Sequence, residues 1–195
     1  MLERHLTSQD HRRIAQAAQQ YGVDAGLIAA IWQDELNRLD TFDHLQNSLA
    51  VALCRLPVGL RHLLRNAAEF VTRRSLTTHS IGPAQMKPST LQDVAHAGLL
   101  RLPGTLCEQI AYLLNRENVP GVIAARLRQT INHWALGGVN LSRRPEILGT
   151  LYSIGLSGKD GVHPEPQANG RGQAIATAAR EYLPPVRVRV NSLHT

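Results

Sequence analysis

The sequence predicts an all-α domain, and three observations carry that reading. Apolar residues recur at i, i+3 and i+4 in one segment after another, the period of a helix face rather than of a strand. Most of these segments open on a residue that can cap a helix and close on Gly or Pro. No stretch alternates apolar and polar residues long enough to build a sheet, and no fixed-period repeat or low-complexity tract interrupts the pattern.

The elements follow in order. Thr7 and Asp10 have capping-box spacing and lead into a helix over 12–20 that the Tyr21-Gly22-Val23 break ends. Asp24 can cap a second helix over 25–38, with Leu27, Ile28, Ile31 and Trp32 at helical spacing. Residues 45–56 read as a third helix stopped by Pro57 and Gly59. Residues 60–74 read as a fourth, with Arg61, Arg65, Arg73 and Arg74 as its basic face. Residues 75–88 lack a helical period and contain Gly82 and Pro83, so they form a loop with room for a short β-hairpin. Ser89 or Thr90 restarts a helix to about 97, and Thr105 with Glu108 caps another that runs to 115. A helix over 119–134 accepts Pro120 in its first turn and ends at Gly137-Gly138. Pro145 opens a helix through 152 that Gly155 closes. The glycines and prolines of 156–172 make a loop, and 173–183 is the last helix, stopped by Pro184-Pro185. The organisation is one domain over 1–185 and a tail over 186–195, read as a short exposed strand or unstructured chain.

Composition narrows the function classes. The 195 residues are 43% hydrophobic, enough for a real core, and no apolar run approaches the roughly 18 residues a membrane span needs. Residues 1–13 are polar and charged and lack the apolar stretch of a secretory signal. The net charge of +6 and pI near 10 come almost entirely from arginine, with lysine only at Lys87 and Lys159. Such a surface favours polyanions — nucleic acid, anionic lipid or acidic wall polymers — without choosing among them. Cys54 and Cys107 stand outside any CxxC pair, and buried free thiols are favoured over a disulfide. The nine histidines are scattered without HExxH or HxH spacing, so neither metal nor cofactor is read. Ser157-Gly158-Lys159 lacks the first glycine and the trailing Ser/Thr of a phosphate loop.

One carboxylate stands out. Leu27, Ile31 and Glu35 are spaced i, i+4, i+8 and share a helix face that is apolar until Glu35. A carboxyl at the rim of a core is partly desolvated, which raises its pKa and suits it to donate a proton to a glycosidic oxygen. The plain alternative is a solvated glutamate paired with Arg38 or another arginine. Asp34 points to a different face.

Three elements then carry a family resemblance. Tyr21-Gly22-Val23-Asp24 followed by the 27–35 helix resembles the opening of the soluble lytic transglycosylase and goose-type lysozyme group, where such a helix ends in the catalytic Glu. Ser80-Ile81-Gly82-Pro83-Ala84-Gln85-Met86-Lys87-Pro88-Ser89-Thr90 resembles the group's "S-x-G-x-x-Q-x-x-P-x-T" stretch, which lines the sugar cleft. Leu151-Tyr152-Ser153-Ile154-Gly155 resembles its "AYNxG" element, whose Tyr lies close to the acid. The elements occur in the family's order over about 21–155. The resemblance implies a lysozyme-like helical domain with an inserted helical segment at about 40–78, longer than the usual spacing. Leu36 replaces the usual Ser after the acid, and Ser153 the usual Asn, which marks a divergent branch.

The implied activity is cleavage of the MurNAc–GlcNAc β-1,4 bond of peptidoglycan with Glu35 as general acid. Asp40 and Asp43 are candidates for a second carboxylate that positions water, with Glu69 a remoter one; lytic transglycosylases use a single Glu, the substrate's N-acetyl group and a 1,6-anhydro product. Ser80, Gly82, Gln85, Met86 and Tyr152 are the expected substrate-binding residues, joined by His79 beside the loop and by Asn169, with Arg171, on a possible second wall. The expected partner is a peptidoglycan glycan strand, met by a monomer in the periplasm or wall after export by a non-Sec route, as for a phage lysin or a delivered toxin with its immunity protein or secretion machinery. The competing readings are a basic helical nucleic-acid-binding module and a lysozyme-like domain that binds glycan without cleaving it.

Overall fold

The computed structural model describes residues 5–57, 59–60 and 76–182. The expected helix over 60–74, Glu69 and the tail over 186–195 lie essentially outside those residues. The described chain is all-α: α1 (Ser8–Tyr21), α2 (Ala25–Arg38), α3 (Thr41–Arg55), α4 (Pro88–His96), α5 (Leu106–Leu114), α6 (Val119–Leu136), α7 (Pro145–Ile154) and α8 (Gly170–Glu181), with short 3₁₀ turns at Leu76–Thr78 and Arg116–Asn118. The hairpin expected over 75–88 reduces to one antiparallel bridge between Ile81 and Met86.

Local chemistry explains where the helices begin. Thr7 with Asp10, Asp40 with Asp43 and Thr105 with Glu108 each form a reciprocal capping box, and the Asp24 side chain accepts from Leu27 N–H. Three starts differ from expectation, and the first is α1, which opens at Ser8 rather than 12, directly after its Thr7 cap. α3 opens at Thr41, ahead of its apolar period, because its first turn is fastened by the Asp40–Asp43 box. α8 opens at Gly170, because Asn169 caps it through Gly172 N–H at 2.8 Å.

α2 and α6 form the centre. Leu27, Ile28, Ala29, Ala30, Ile31, Trp32 and Leu36 are buried, so α2 is apolar around most of its circumference and is enclosed by its neighbours. α1, α6, α7 and α8 pack around it. Val122, Ile123, Ala124, Leu127 and Ile131 do the same for α6. α8 lies close on α7 at Gly172, where a Cβ would run into Thr150 Oγ1 and the Glu146 carbonyl, so only glycine allows this approach. Thr150 locks the joint: its hydroxyl donates to Glu146 O (2.8 Å) and accepts from Asn169 N–H (3.0 Å). That joint sets where Arg171 points.

The inserted segment is tied to the rest. α3 packs on α5, and a Cys54–Cys107 disulfide joins them with Cα atoms 5.4 Å apart. This corrects the expectation of buried free thiols: both cysteines are only half-buried, and they meet because the α3–α5 contact brings together residues 53 positions apart. Among the described residues no helix is long and apolar enough to cross a membrane.

Candidate active site

Glu35 occupies the last turn but one of α2 with its side chain 8% exposed. Burial pushes its pKa up from the ordinary carboxylate range to about 7, against the opposing pull of the Arg171 charge. Arg171 comes from the first turn of α8. Its Nη2 lies 2.8 Å from Glu35 Oε1 and 2.6 Å from Asp34 Oδ2, while its Nε donates to Asp34 Oδ2 at 2.7 Å. Nη2 thus lies within ion-pair distance of both carboxylates, and its charge and hydrogen bonding favour the ionised form of Glu35. Arg171 is shared, and Asp34, also paired with Arg38 at 3.2 Å, takes its Nε donor. Sharing dilutes the cation's effect on Glu35, and desolvation wins. Asp34 therefore belongs to the same ion cluster as Glu35, although the two start on different helix faces; the long arginine reaches both.

The structure brings the two downstream motif elements together. Ser80, Gln85, Met86 and Lys87 from the loop, Thr90 of α4, Arg126 of α6, and Tyr152 and Ser153 of α7 line one polar cleft of about 170 Å³. Tyr152 joins the two sides, its hydroxyl donating to Ala84 O at 2.9 Å. Burial, then the negative charge of Glu35, raises the Tyr152 pKa well above its usual value, so this tyrosine lies within electrostatic reach of the acid and stays a neutral phenol. Glu35 is not itself on the cleft lining; its charge reaches Tyr152, which is. Larger hollows of about 330 and 300 Å³ flank the start of α2 and the 156–169 loop, and neither holds a buried acid.

Other expected residues have structural positions. Gly82 is buried with φ +73°, its N–H bonded to Asn47 Oδ1 at 3.2 Å, and a Cβ there would collide with Leu113 O. It shapes the loop rather than lining the cleft. Gln46 of α3 donates to Ser80 O at 2.9 Å, so α3 clamps the loop at both Ser80 and Gly82. Gln85 closes the turn with φ +45° and donates through Nε2 to Gly82 O at 3.2 Å. His79 is half-buried and outside the lining. Asn169 is engaged as the α8 cap, not on the cleft wall. Asp40 is exposed and Asp43 half-buried, and each carboxylate accepts the other's backbone N–H (2.9 and 3.1 Å), so both side chains serve the α3 start. Leu36, where the resembled family has Ser, is fully in the core.

Two site residues had little or no sequence signal. Arg126 lay inside the apolar text of α6, and the role of Arg171 depends on Asp34, 137 positions away. Arg126 is 7% exposed; burial lowers its pKa, only partly countered by Tyr152 and Asp93. Among the described residues no three His, Cys, Asp or Glu side chains gather as a metal site would require. Compared with protein-family models, curated proteins and solved structures, the chain matches none.

Proposed function

We propose that this chain is a peptidoglycan-cleaving glycosidase in which Glu35 protonates the leaving oxygen of the MurNAc–GlcNAc β-1,4 bond. The observation that carries the reading is a glutamate buried at the end of an apolar helix stripe with its pKa raised to about 7, whose charge acts on Tyr152 of a polar cleft lined also by Ser80, Gln85 and Met86. A general acid must hold its proton near the working pH and release it in the transition state, and this environment does both.

The engagement of Asp40 and Asp43 in the α3 cap favours single-carboxylate chemistry. In that scheme Glu35 gives its proton to the leaving oxygen while the N-acetyl carbonyl oxygen of the same MurNAc attacks its C1. The resulting carboxylate then takes the proton of the C6 hydroxyl, whose oxygen displaces the N-acetyl group from C1. The product is a 1,6-anhydro sugar and the acid is regenerated. The Cys54–Cys107 disulfide is in keeping with action outside a reducing cytosol, in the periplasm or wall.

The test is muropeptide release from purified sacculi. Wild type should release 1,6-anhydro-muropeptides by mass spectrometry, and Glu35→Gln should reduce release about 100- to 10,000-fold with unchanged circular dichroism. Reducing ends in the products would replace the transglycosylase scheme with hydrolysis. Undiminished release by the folded variant would overturn the role of Glu35.

A further inference from the structure

We infer that Arg126 receives a carboxylate of the substrate, which makes the cleft between the 80–87 loop and α7 a subsite for an anionic group. The identity of the substrate rests on the glycan-strand reading above; the chemistry of the subsite rests on the arginine itself.

Among the described residues most half-buried arginines pair with carboxylates, Arg128 excepted, which donates to the Tyr21 and Gly22 carbonyls. Arg116 pairs with Asp10 at 2.8 Å, and Arg171 with Asp34 and Glu35, although both arginine side chains keep 21% exposure. Arg126 is 7% exposed and, among the described residues, no carboxylate lies within ion-pair distance. Among the described residues its guanidinium makes one hydrogen bond, from Nη1 to Gln129 Oε1 at 2.6 Å, a neutral acceptor one turn along α6. A guanidinium has five N–H donors and stays charged inside proteins, and a buried charge without a counter-ion is costly. Arg126 lines the cleft, no Asp or Glu is on that lining, and Lys87 adds a second cation at its exposed rim. The nearest acidic influence is Asp93, which is exposed and unpaired with Arg126. The hydroxyls of Ser80 and Thr90 add donors to this wall, while the Ser153 hydroxyl donates to Gly149 O and the Tyr152 hydroxyl to Ala84 O. A planar guanidinium fork in such a wall matches a carboxylate, which can accept two parallel N–H bonds. On a wall glycan that carboxylate is either the lactyl acid of a muramic residue lacking its peptide or an acid of the stem peptide.

The experiment follows the Arg126 Nε–H resonance of the wild-type chain by NMR. The probes are N-acetylmuramic acid, an N-acetylmuramoyl peptide with free carboxylates, the carboxamides of both, and neutral N-acetylglucosamine tetramer. One of the two acids should shift the Arg126 signal and bind about ten- to a hundredfold more tightly than its carboxamide, the range of a charge-assisted pair; which acid does so identifies the source. Arg126→Gln should abolish the preference and Arg126→Lys should retain part of it. Equal binding of acid and carboxamide by wild type overturns the proposal without needing any variant, and so does a folded Arg126→Gln that keeps the preference. Muropeptide release by wild type is read separately. Acid-selective binding without cleavage sinks the glycosidase reading and leaves the subsite standing; cleavage without selectivity does the reverse.

Discussion

Arg171 Nη2 lies 2.8 Å from Glu35 Oε1 and 2.6 Å from Asp34 Oδ2, one nitrogen shared by two carboxylates. The contact favours the ionised acid but does not outweigh burial, so Glu35 keeps its proton up to about 7. Burial alone would lower the pKa of Arg171, but Glu35 and Asp34 raise it on balance, so the cation persists across the working range. Replacing Arg171 with Gln removes the charge that favours ionised Glu35 and leaves Asp34 to disfavour it. The acid's pKa then rises further above about 7. The alkaline limb of the pH–rate profile for muropeptide release should move to higher pH in Arg171→Gln; a limb that stays put or moves down would remove Arg171 from this role.

The same pKa makes a statement about stability. The folded chain holds the Glu35 proton up to about 7, whereas an unfolded glutamate releases it near 4.5. Between those values the native state binds more protons, so stability falls as pH rises through the window. The cost is absent below about 4.5 and fully present above about 7, where it approaches about 3 kcal/mol. Glu35→Gln should flatten that dependence. Urea unfolding at several pH values from 4 to about 8 reads it directly, and a variant whose stability still falls across the window would assign the fall to another group.

Much of the fold was legible because its signals are local. The Thr7–Asp10 and Thr105–Glu108 boxes and the Asp24 cap act over three residues, and the corresponding helices start at the next residue. α8 shows the opposite case. Gly170 and Gly172 argue against a helix start, yet Gly172 is what lets α8 close on Thr150 of α7, and that packing is invisible in a local pattern. In the site, Glu35 declared itself by position on the α2 stripe, and Ser80, Gln85, Met86 and Tyr152 converge on one cleft. A capping carboxylate and a catalytic one look alike in text, and only the structure shows Asp40 and Asp43 engaged in the α3 cap. Arg126 was missed because an arginine within apolar helix text reads as a solvated face, and only the packing of α6 buries it.

Tyr152 carries a structural task that can be isolated from its place beside the acid. Its hydroxyl donates to Ala84 O at 2.9 Å, inside the turn that the Ile81–Met86 bridge closes. Phenylalanine keeps the ring and deletes the donor, leaving a carbonyl of the turn unpaired. Tyr152→Phe should cost about 1 kcal/mol of stability, and amide exchange at Met86, whose N–H bonds to Ile81 O at 3.3 Å, should quicken. Unchanged exchange there would show that the loop is held by α3 alone, through Gln46 and Asn47.

The disulfide makes the complementary case for α3. Cys54 and Cys107 close a loop across 53 positions that contains Ser80 and Gly82, and α3, near whose end Cys54 sits, carries the Gln46 and Asn47 clamps on them. Cross-linking so long a loop restricts the unfolded chain, worth about 4 kcal/mol in the chain-entropy estimate. Reduction should lower stability by up to that amount. Because α3 loses its covalent tie to α5, the loosening should appear first in amide exchange at Gly82, whose N–H bonds to Asn47 Oδ1, before α2 and α6 respond. Cys107→Ser should reproduce both effects without a reductant. Uniform loosening of every element on reduction would instead show that the bond stabilises the domain only globally and that the clamp on the cleft loop does not depend on it.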